Sequence, residues 1–368
     1  MNRPSTTSAD RPRILLMPEF MSIGGGQMIY LRKALWLKAN GYHVAVASAG
    51  GVLEDELSAA GIPHLTLADL GAQGAFPNTW QRWGATIDAL VAFVDEQQVT
   101  VLDAHPIVPV LAAREVARHR HVGVKYEFLG GQTHLIPSDV WIDEVTKGNF
   151  TTYRGAAAEQ IEDRLHIDRD CLWTAPLAVD FPQFEQAPAE TMRDTLGLAA
   201  ADFIVLNACR HDADKLVHIF GLADELVQLM AEFPHLHAVF AGDGAEHQRV
   251  RDYVLAKLPH DRVHLPGMVR DMSAAVHGCD VLYGMGSVCS EAAIARTPVI
   301  IAPAESILSH RYPGGFPRDG LALGYFAEYG VYQTGNPVDG MRSAIVEKRP
   351  TSHAAHMTSS PTTITPTQ

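Results

Sequence analysis

Apolar runs alternate with amphipathic stretches along this chain, and that alternation sets out a fold. Residues 14–17 (Ile-Leu-Leu-Met) have the length and flanks of a buried strand. Gly24, Gly25 and Gly26 follow, and an amphipathic helix is predicted over residues 27–40. Met28, Leu31 and Leu35 mark its apolar face, and Gly41 stands where a C-terminal stop belongs. Residues 44–47, 99–102 and 122–126 predict further strands, and residues 53–60 and 79–96 predict helices. The rhythm restarts with a strand over 203–206, a helix over 215–232 and strands over 237–240, 263–265 and 281–282. A helix over 287–295 and a strand over 299–301 complete it. Strands alternating with helices predict parallel sheets covered on both faces.

The expected fold class is therefore α/β, with two Rossmann-like, doubly wound domains. The 368 residues exceed what one ordinary core takes. Residues 12–180 are assigned to the first domain and 181–349 to the second, with the linker inside 176–188. Residues 1–11 read as a disordered leader. Residues 350–368, low-complexity Ser/Thr/Pro, read as a disordered tail.

Charge and composition narrow the function. A formal charge of −13 argues against general binding to nucleic acid or to an anionic membrane. No stretch reaches the apolar length of a membrane span, and residues 1–11 lack the apolar run of a signal peptide. Cys171, Cys209, Cys279 and Cys289 are scattered, without a CxxC pair. That argues against structural zinc and a disulfide framework, and free thiols fit a cytoplasmic protein. The histidines show no His-Glu-x-x-His spacing, and neither metal nor cofactor is expected. His119 and His121 read as exposed, and Trp80 and Trp83 as helix packing.

Three segments carry candidate chemistry. Gly24, Gly25 and Gly26 lie between a strand and a helix, where a phosphate can meet free N–H groups. A plain tight turn explains them equally well. Arg210 and Lys215 flank the start of the next such helix, where cations can neutralise a leaving diphosphate; two solvated surface charges are the alternative. In the third segment, residues 283–293, N–H groups of Gly286, Ser287 and Val288 can meet a phosphate or sugar hydroxyl, and Glu291 can grip a ribose diol. A capping box over Ser287–Glu291 is the alternative. Asp212-Ala213-Asp214 looks like a DxD metal motif, but it lies between Arg210 and Lys215, cations that would take the metal's role. Asp103 reads as a cap for the loop before Pro106.

Taken together and in order, these segments resemble the GT-B retaining glycosyltransferases, in particular glycosyltransferase family 4, over residues 12–305. Gly41-Tyr42-His43-Val44, the Arg210/Lys215 spacing, Gly242-Asp243-Gly244, Leu265-Pro266-Gly267-Met268, Tyr283 to Glu291, and Thr297-Pro298-Val299-Ile300 all resemble family segments. So does Pro176-Leu177-Ala178-Val179-Asp180. The resemblance implies a metal-independent hexosyltransferase that retains anomeric configuration and uses a nucleotide-sugar, by family frequency a UDP-sugar. It places Glu291 on the ribose and Arg210 and Lys215 on the diphosphate. Gly25, Gly26, Gly242, Gly244, Met268, Met285, Gly286, Ser287 and Val288 would line the same donor site. His105 and Glu127 are the implied catalytic residues on the acceptor side, together with Arg210 and Lys215 on the donor side. The acceptor would be a small molecule or glycan, with no nucleic acid or membrane partner.

Some positions depart from the family pattern. Tyr283 stands where the family often has its first Glu, and Glu127 stands near the place of its catalytic-site His. Gly314-Gly315 is a shifted equivalent of its sugar-contacting glycines, and the long C-terminal helix is short or absent. A sugar-nucleotide epimerase on the same fold and a catalytically weak partner subunit are the competing readings.

Overall fold

The computed structural model describes residues 11–71, 80–128, 149–152, 169–174, 181–301, 341–342 and 344–346. Residues 1–10 of the leader, the 176–180 stretch of the linker, Gly314-Gly315 and the Ser/Thr/Pro tail lie outside the described residues.

The first half contains strands β1 (Arg13–Pro18), β2 (His43–Ser48), β3 (His64–Thr66), β4 (Val101–His105), β5 (Gly123–Phe128), β6 (Asn149–Thr152) and β7 (Leu172–Thr174). Its helices are α1 (Gly25–Ala39), α2 (Glu54–Ala59), α3 (Trp80–Glu96) and α4 (Ile107–His119). The strands form one parallel sheet in the order β3-β2-β1-β4-β5-β6-β7. The second half begins with short helices α5 (Phe181–Glu185) and α6 (Met192–Thr195). Then come β8 (Phe203–Ala208), α7 (Leu216–Glu232), β9 (Leu236–Ala241), α8 (His247–Lys257), β10 (Val263–Gly267), α9 (Met272–Gly278), β11 (Val281–Gly284), α10 (Ser287–Ile294) and β12 (Val299–Ile301). A second parallel sheet results, in the order β10-β9-β8-β11-β12.

Each sheet is packed on both faces, as near-continuous apolar strands require. In β1, Leu15 and Met17 face the core under α3 and α4, while Leu16 faces the core under α1 and α2. In β8, Val205 lies in the core that holds α7, and Ile204 and Leu206 lie in the core that holds α9 and α10. Met341 and Ile345 return to the α7 side of the second core. Among the described residues, no helix is long and apolar enough to cross a membrane.

The sheet orders locate the places where ligands collect. In the first sheet, β2 and β3 lie on one side of β1 and β4 on the other. In the second, β9 and β10 lie on one side of β8 and β11 on the other. The loops leaving neighbouring strands diverge there and open a crevice beyond the carboxyl ends. The segments following β1, β8 and β11 and the carboxyl end of β4 line the two crevices, bringing there Gly24 to Gly26, Arg210, Gly286-Ser287 and His105.

Several sequence expectations shift. The strand expected over 99–102 runs instead from Val101 to His105, carrying Asp103 and His105 inside the sheet. Asp103 therefore caps no loop. The buried face of α1 is formed by Ile29, Tyr30, Leu31, Ala34 and Leu37, whereas Leu35 is exposed. Tyr30, Leu31, Ala34 and Leu37 pack on β1, β2 and α2, so the covered arc is set by the sheet and α2 and leaves Leu35 outside it. Helix α4 is an addition to the sequence reading. Pro109 sits in its first turn, where a missing N–H costs nothing, and Val108, Val110, Ala112, Ala113 and Val116 are buried. Helices α8 and α9 and the short strands β3, β6 and β7 are also additions. Trp83 packs against the first core, as expected for helix packing. The side chain of Trp80 lies outside the described residues.

Candidate functional site

Helices α1 and α10 start in the same way. Gly24 is the N-cap of α1 and Gly286 the N-cap of α10, and neither provides a side-chain cap. No acidic residue occupies either first turn. A helix start of this kind presents N–H groups and a partial positive charge to an anion. The capping-box alternative for residues 287–291 is thereby replaced: the cap is Gly286, which at φ 81° needs a glycine, and Glu291 is turned elsewhere.

The two helix starts meet. A Cβ added to Gly25 would stand 3.3 Å from the Ser287 Oγ, and one added to Gly24 would stand 3.6 Å from the Arg210 Cδ. Three segments distant in sequence are thus brought to one place. Arg210 is half exposed and its guanidinium pairs with the Asp212 carboxylate. Asp212 of the DxD-like segment is therefore already engaged; the side chain of Asp214 lies outside the described residues. Lys215, just ahead of α7, places its Nζ 3.8 Å from the Met285 Sδ, which joins the β8 loop to the β11 loop.

The loop between β8 and α7 is wrapped by Gly242-Asp243-Gly244. The His211 N–H donates to the Asp243 carbonyl at 2.9 Å, and the Glu246 N–H donates to the His211 carbonyl at 2.8 Å. A Cβ on Gly242, at φ 154°, would stand 1.9 Å from the Cys209 carbonyl oxygen, so only glycine fits. The His211 ring is buried, stacked on His247, with Nδ1 to Nδ1 at 2.9 Å. Its Nε2 is buried and has no hydrogen-bond partner. Burial, with the His247 charge adding to it, lowers the His211 pKa to about 4.

Glu291 lies on α10, 4% exposed, with its Oε1 2.7 Å from the Arg32 Nη2 of α1. The Arg32 guanidinium also sits 5.6 Å over the Phe184 ring. Its Nε and Nη1 are buried without a partner. Tyr283 does not reach this place. It shares a face of β11 with Val281 and packs into the core under α7, and burial raises its hydroxyl pKa. Met268 is exposed beyond β10, and Val288 is buried against Gly284.

His105 and Glu127 lie in the first sheet, within a buried cluster of charges under α1. Asp103 stands beside Lys125 in the β4–β5 register, and Glu127 is two residues further along the same face of β5. Lys125 Nζ donates to Asp103 at 2.9 Å and to Glu127 at 3.2 Å. Lys33 of α1 pairs with both carboxylates, and the Tyr30 hydroxyl is 3.2 Å from each. The His105 ring stacks on Tyr30, and its Nδ1 is 2.7 Å from the Glu127 carbonyl oxygen. Burial raises the Glu127 pKa, but Lys33 and Lys125 outweigh it and hold the carboxyl at about 2. Burial lowers the Lys33 pKa, and Asp103 and Glu127 reverse the effect, so that the ammonium is held above its usual range. Burial brings His105 down to about 4, so its ring is neutral near pH 7. Tyr30, Arg32, Lys33, Lys125 and His211 went unnoticed in the sequence. The one available signal was the Arg32-Lys33 pair interrupting the apolar pattern of α1.

Known structures share this architecture. The Anabaena protein HepE in complex with UDP-glucose is 15% identical, with a TM-score of 0.66, over 92% of this chain and 97% of that one. The fold is GT-B. Sucrose-phosphate synthase from Thermosynechococcus elongatus is 16% identical, with a TM-score of 0.60, over 91% of this chain and 97% of that one. UDP-GlcNAc 2-epimerase from Neisseria meningitidis bound to UDP-GlcNAc is 13% identical, with a TM-score of 0.55, over 91% of this chain and 100% of that one. No family model and no curated protein sequence matches the chain. Within the GT-B frame, the facing crevices are the two switch points described above.

Proposed function

We propose that this protein is a glycosyltransferase that moves a sugar from a nucleoside diphosphate sugar, a UDP-sugar, to an acceptor hydroxyl with retention of configuration. The observation that carries this reading is the convergence of the starts of α1 and α10 with Arg210. Two uncapped helix starts and a cation, joined by Lys215 through Met285, make a receptor for a diphosphate.

In this reading the diphosphate exchanges with Asp212 for Arg210. The bond from the sugar anomeric carbon to the β-phosphate oxygen breaks, and charge grows on that oxygen beside Lys215 and Arg210. The acceptor oxygen bonds to the anomeric carbon on the same face, and its proton passes to the departing phosphate. Those two cations take the neutralising role that a metal ion has in other transferases. The acceptor, a small molecule or glycan, lies against the first domain beside His105 and the charged cluster. Glu127 is too fully paired to act as a base, so it orders that wall. His105, neutral near pH 7, is the group there with acceptor chemistry. Residues 12–180 and 181–349 are the proposed domains.

The test is a calorimetric titration with UDP, GDP and ADP, followed by turnover of UDP-sugars with candidate acceptors. Selective UDP binding and acceptor-dependent UDP release support the reading; absence of binding to all three nucleotides defeats it. The likeness to the Neisseria epimerase favours a second reading, in which the donor sugar is epimerised. Interconversion of UDP-sugars with no acceptor and no UDP release would establish that reading instead.

A further inference from the structure

Arg32 is a cation that the donor site has not absorbed. It leaves α1 two turns beyond Gly25, crosses between the two halves and ends beside Glu291. Its side chain is 12% exposed and that of Glu291 5%. One guanidinium nitrogen is satisfied at 2.7 Å by the Glu291 carboxylate. Phe184 covers the guanidinium from one side, where it can accept no N–H bond in the guanidinium plane. Nε and Nη1 are shut away from solvent with no acceptor. A planar fork of donors that is only partly used is a poor way to stabilise an interface, since each buried donor left unpaired opposes folding. It is a good way to hold an oxygen-rich ligand.

We propose that Arg32 is a donor-contacting residue contributed by the first domain, and that it completes a ribose clamp with Glu291. This assignment rests on the donor-site reading of Glu291. A ribose hydroxyl is both donor and acceptor, so its O–H donates to the Glu291 carboxylate and its lone pair accepts from an unused Arg32 N–H. Neither residue alone provides both halves of that recognition. Because Arg32 belongs to α1 and Glu291 to α10, the ribose also ties the two domains together, and donor affinity depends on their approach.

The test compares a nucleoside diphosphate with its 2′-deoxy form, using whichever of UDP, GDP and ADP the parent protein binds most tightly. The parent is expected to prefer the ribo form by about tenfold or more, as a site built around a hydroxyl does. Arg32→Met keeps an unbranched apolar stem over Phe184 and removes the donors. It is expected to bind the ribo form about tenfold more weakly and to lose most of the ribo/deoxy preference. Arg32→Lys restores charge without the planar fork and recovers only part of the preference; it also serves where Arg32→Met does not fold. A loss confined to packing would weaken both nucleotides equally and leave their ratio unchanged, and that result overturns the proposal. Tighter binding by Arg32→Met overturns it too, since Arg32 would then be competing with the ribose for Glu291. A parent protein that binds none of the three nucleotides overturns the donor-site reading itself, and the clamp with it.

Discussion

The charged cluster of the first sheet and the donor-side groups where the two halves meet are both polar and buried, yet they are built on opposite principles. Asp103, Glu127, Lys33 and Lys125 balance in charge, and Tyr30 bonds both carboxylates. On the other side, Arg32 keeps two unpaired donors and His211 one unpaired ring nitrogen. A closed network holds its members in one arrangement; an incomplete one asks for a further partner. The cluster therefore shapes a wall, and the donor side has unused bonds to offer a ligand. Substitutions in the first place should cost stability, and those in the second should cost binding or turnover.

The sharpest break in that comparison is Glu127→Ala, which leaves Lys33 and Lys125 facing Asp103 alone. Removing one partner of a buried ion pair costs about 3–5 kcal/mol, so the urea midpoint should fall steeply. A midpoint within experimental error of the parent would mean that the cluster does not hold the first sheet together. The next largest effect is a pH effect centred on His105. Its folded pKa of about 4 lies below the ordinary 6.5, so the unfolded chain takes up the proton first as pH falls. The stability contributed is complete above pH 6.5 and is lost between 6.5 and 4, by on the order of 3 kcal/mol. His105→Gln should flatten urea-derived stability over that window; an unchanged slope would assign the loss to other groups. Glu127 adds a separate loss at lower pH, between its ordinary 4.5 and about 2.

On the donor side, Lys215→Ala is expected to lower kcat by about a hundredfold while nucleotide affinity falls far less, because charge on the leaving diphosphate grows only at the transition state. Equal kcat in variant and parent would remove Lys215 from the chemistry. The smallest effect is that of Glu291→Gln, chosen over Ala because it keeps an acceptor for Arg32. About tenfold weaker nucleotide binding, with a urea midpoint that falls less than in Glu127→Ala because Gln keeps a hydrogen-bond acceptor for Arg32, is the expected pair of results. The reverse pair, lost stability and intact binding, would make Glu291 a structural partner of Arg32 only.

The sequence made visible the parts that depend on chain-local physics. Apolar runs between turn residues marked β1, β2, β8, β9 and β12, and the glycines before α1 and α10 stood in positions a helix start explains. Arg210 was legible for the same reason, lying just past a readable strand. Elements went unread where the local signal was mixed. Asp103 looked like a loop cap because a charge inside a strand makes sense only once Lys125 and Lys33 are beside it. Pro106 and Pro109 hid the start of α4. Tyr283 matched a polar position in the family pattern but faces the core, because β11 alternates and Val281 and Tyr283 share its inner side.

What this sequence determined by itself is the alternation of strand and helix, and with it two parallel sheets whose glycine-rich turns fall at strand ends. Periodicity and turn chemistry act within about a dozen residues, and a sequence displays them directly. What tertiary structure alone decided is the company each polar group keeps: Glu127 neutralised by two lysines, His211 shut in by Gly242 and Gly244, and Arg32 carried across to Glu291 over 259 positions of chain. Those pairings depend on sheet order and on the meeting of the two halves. The strength of a charge or hydrogen bond is set by burial and by partners, and neither is written at the residue itself.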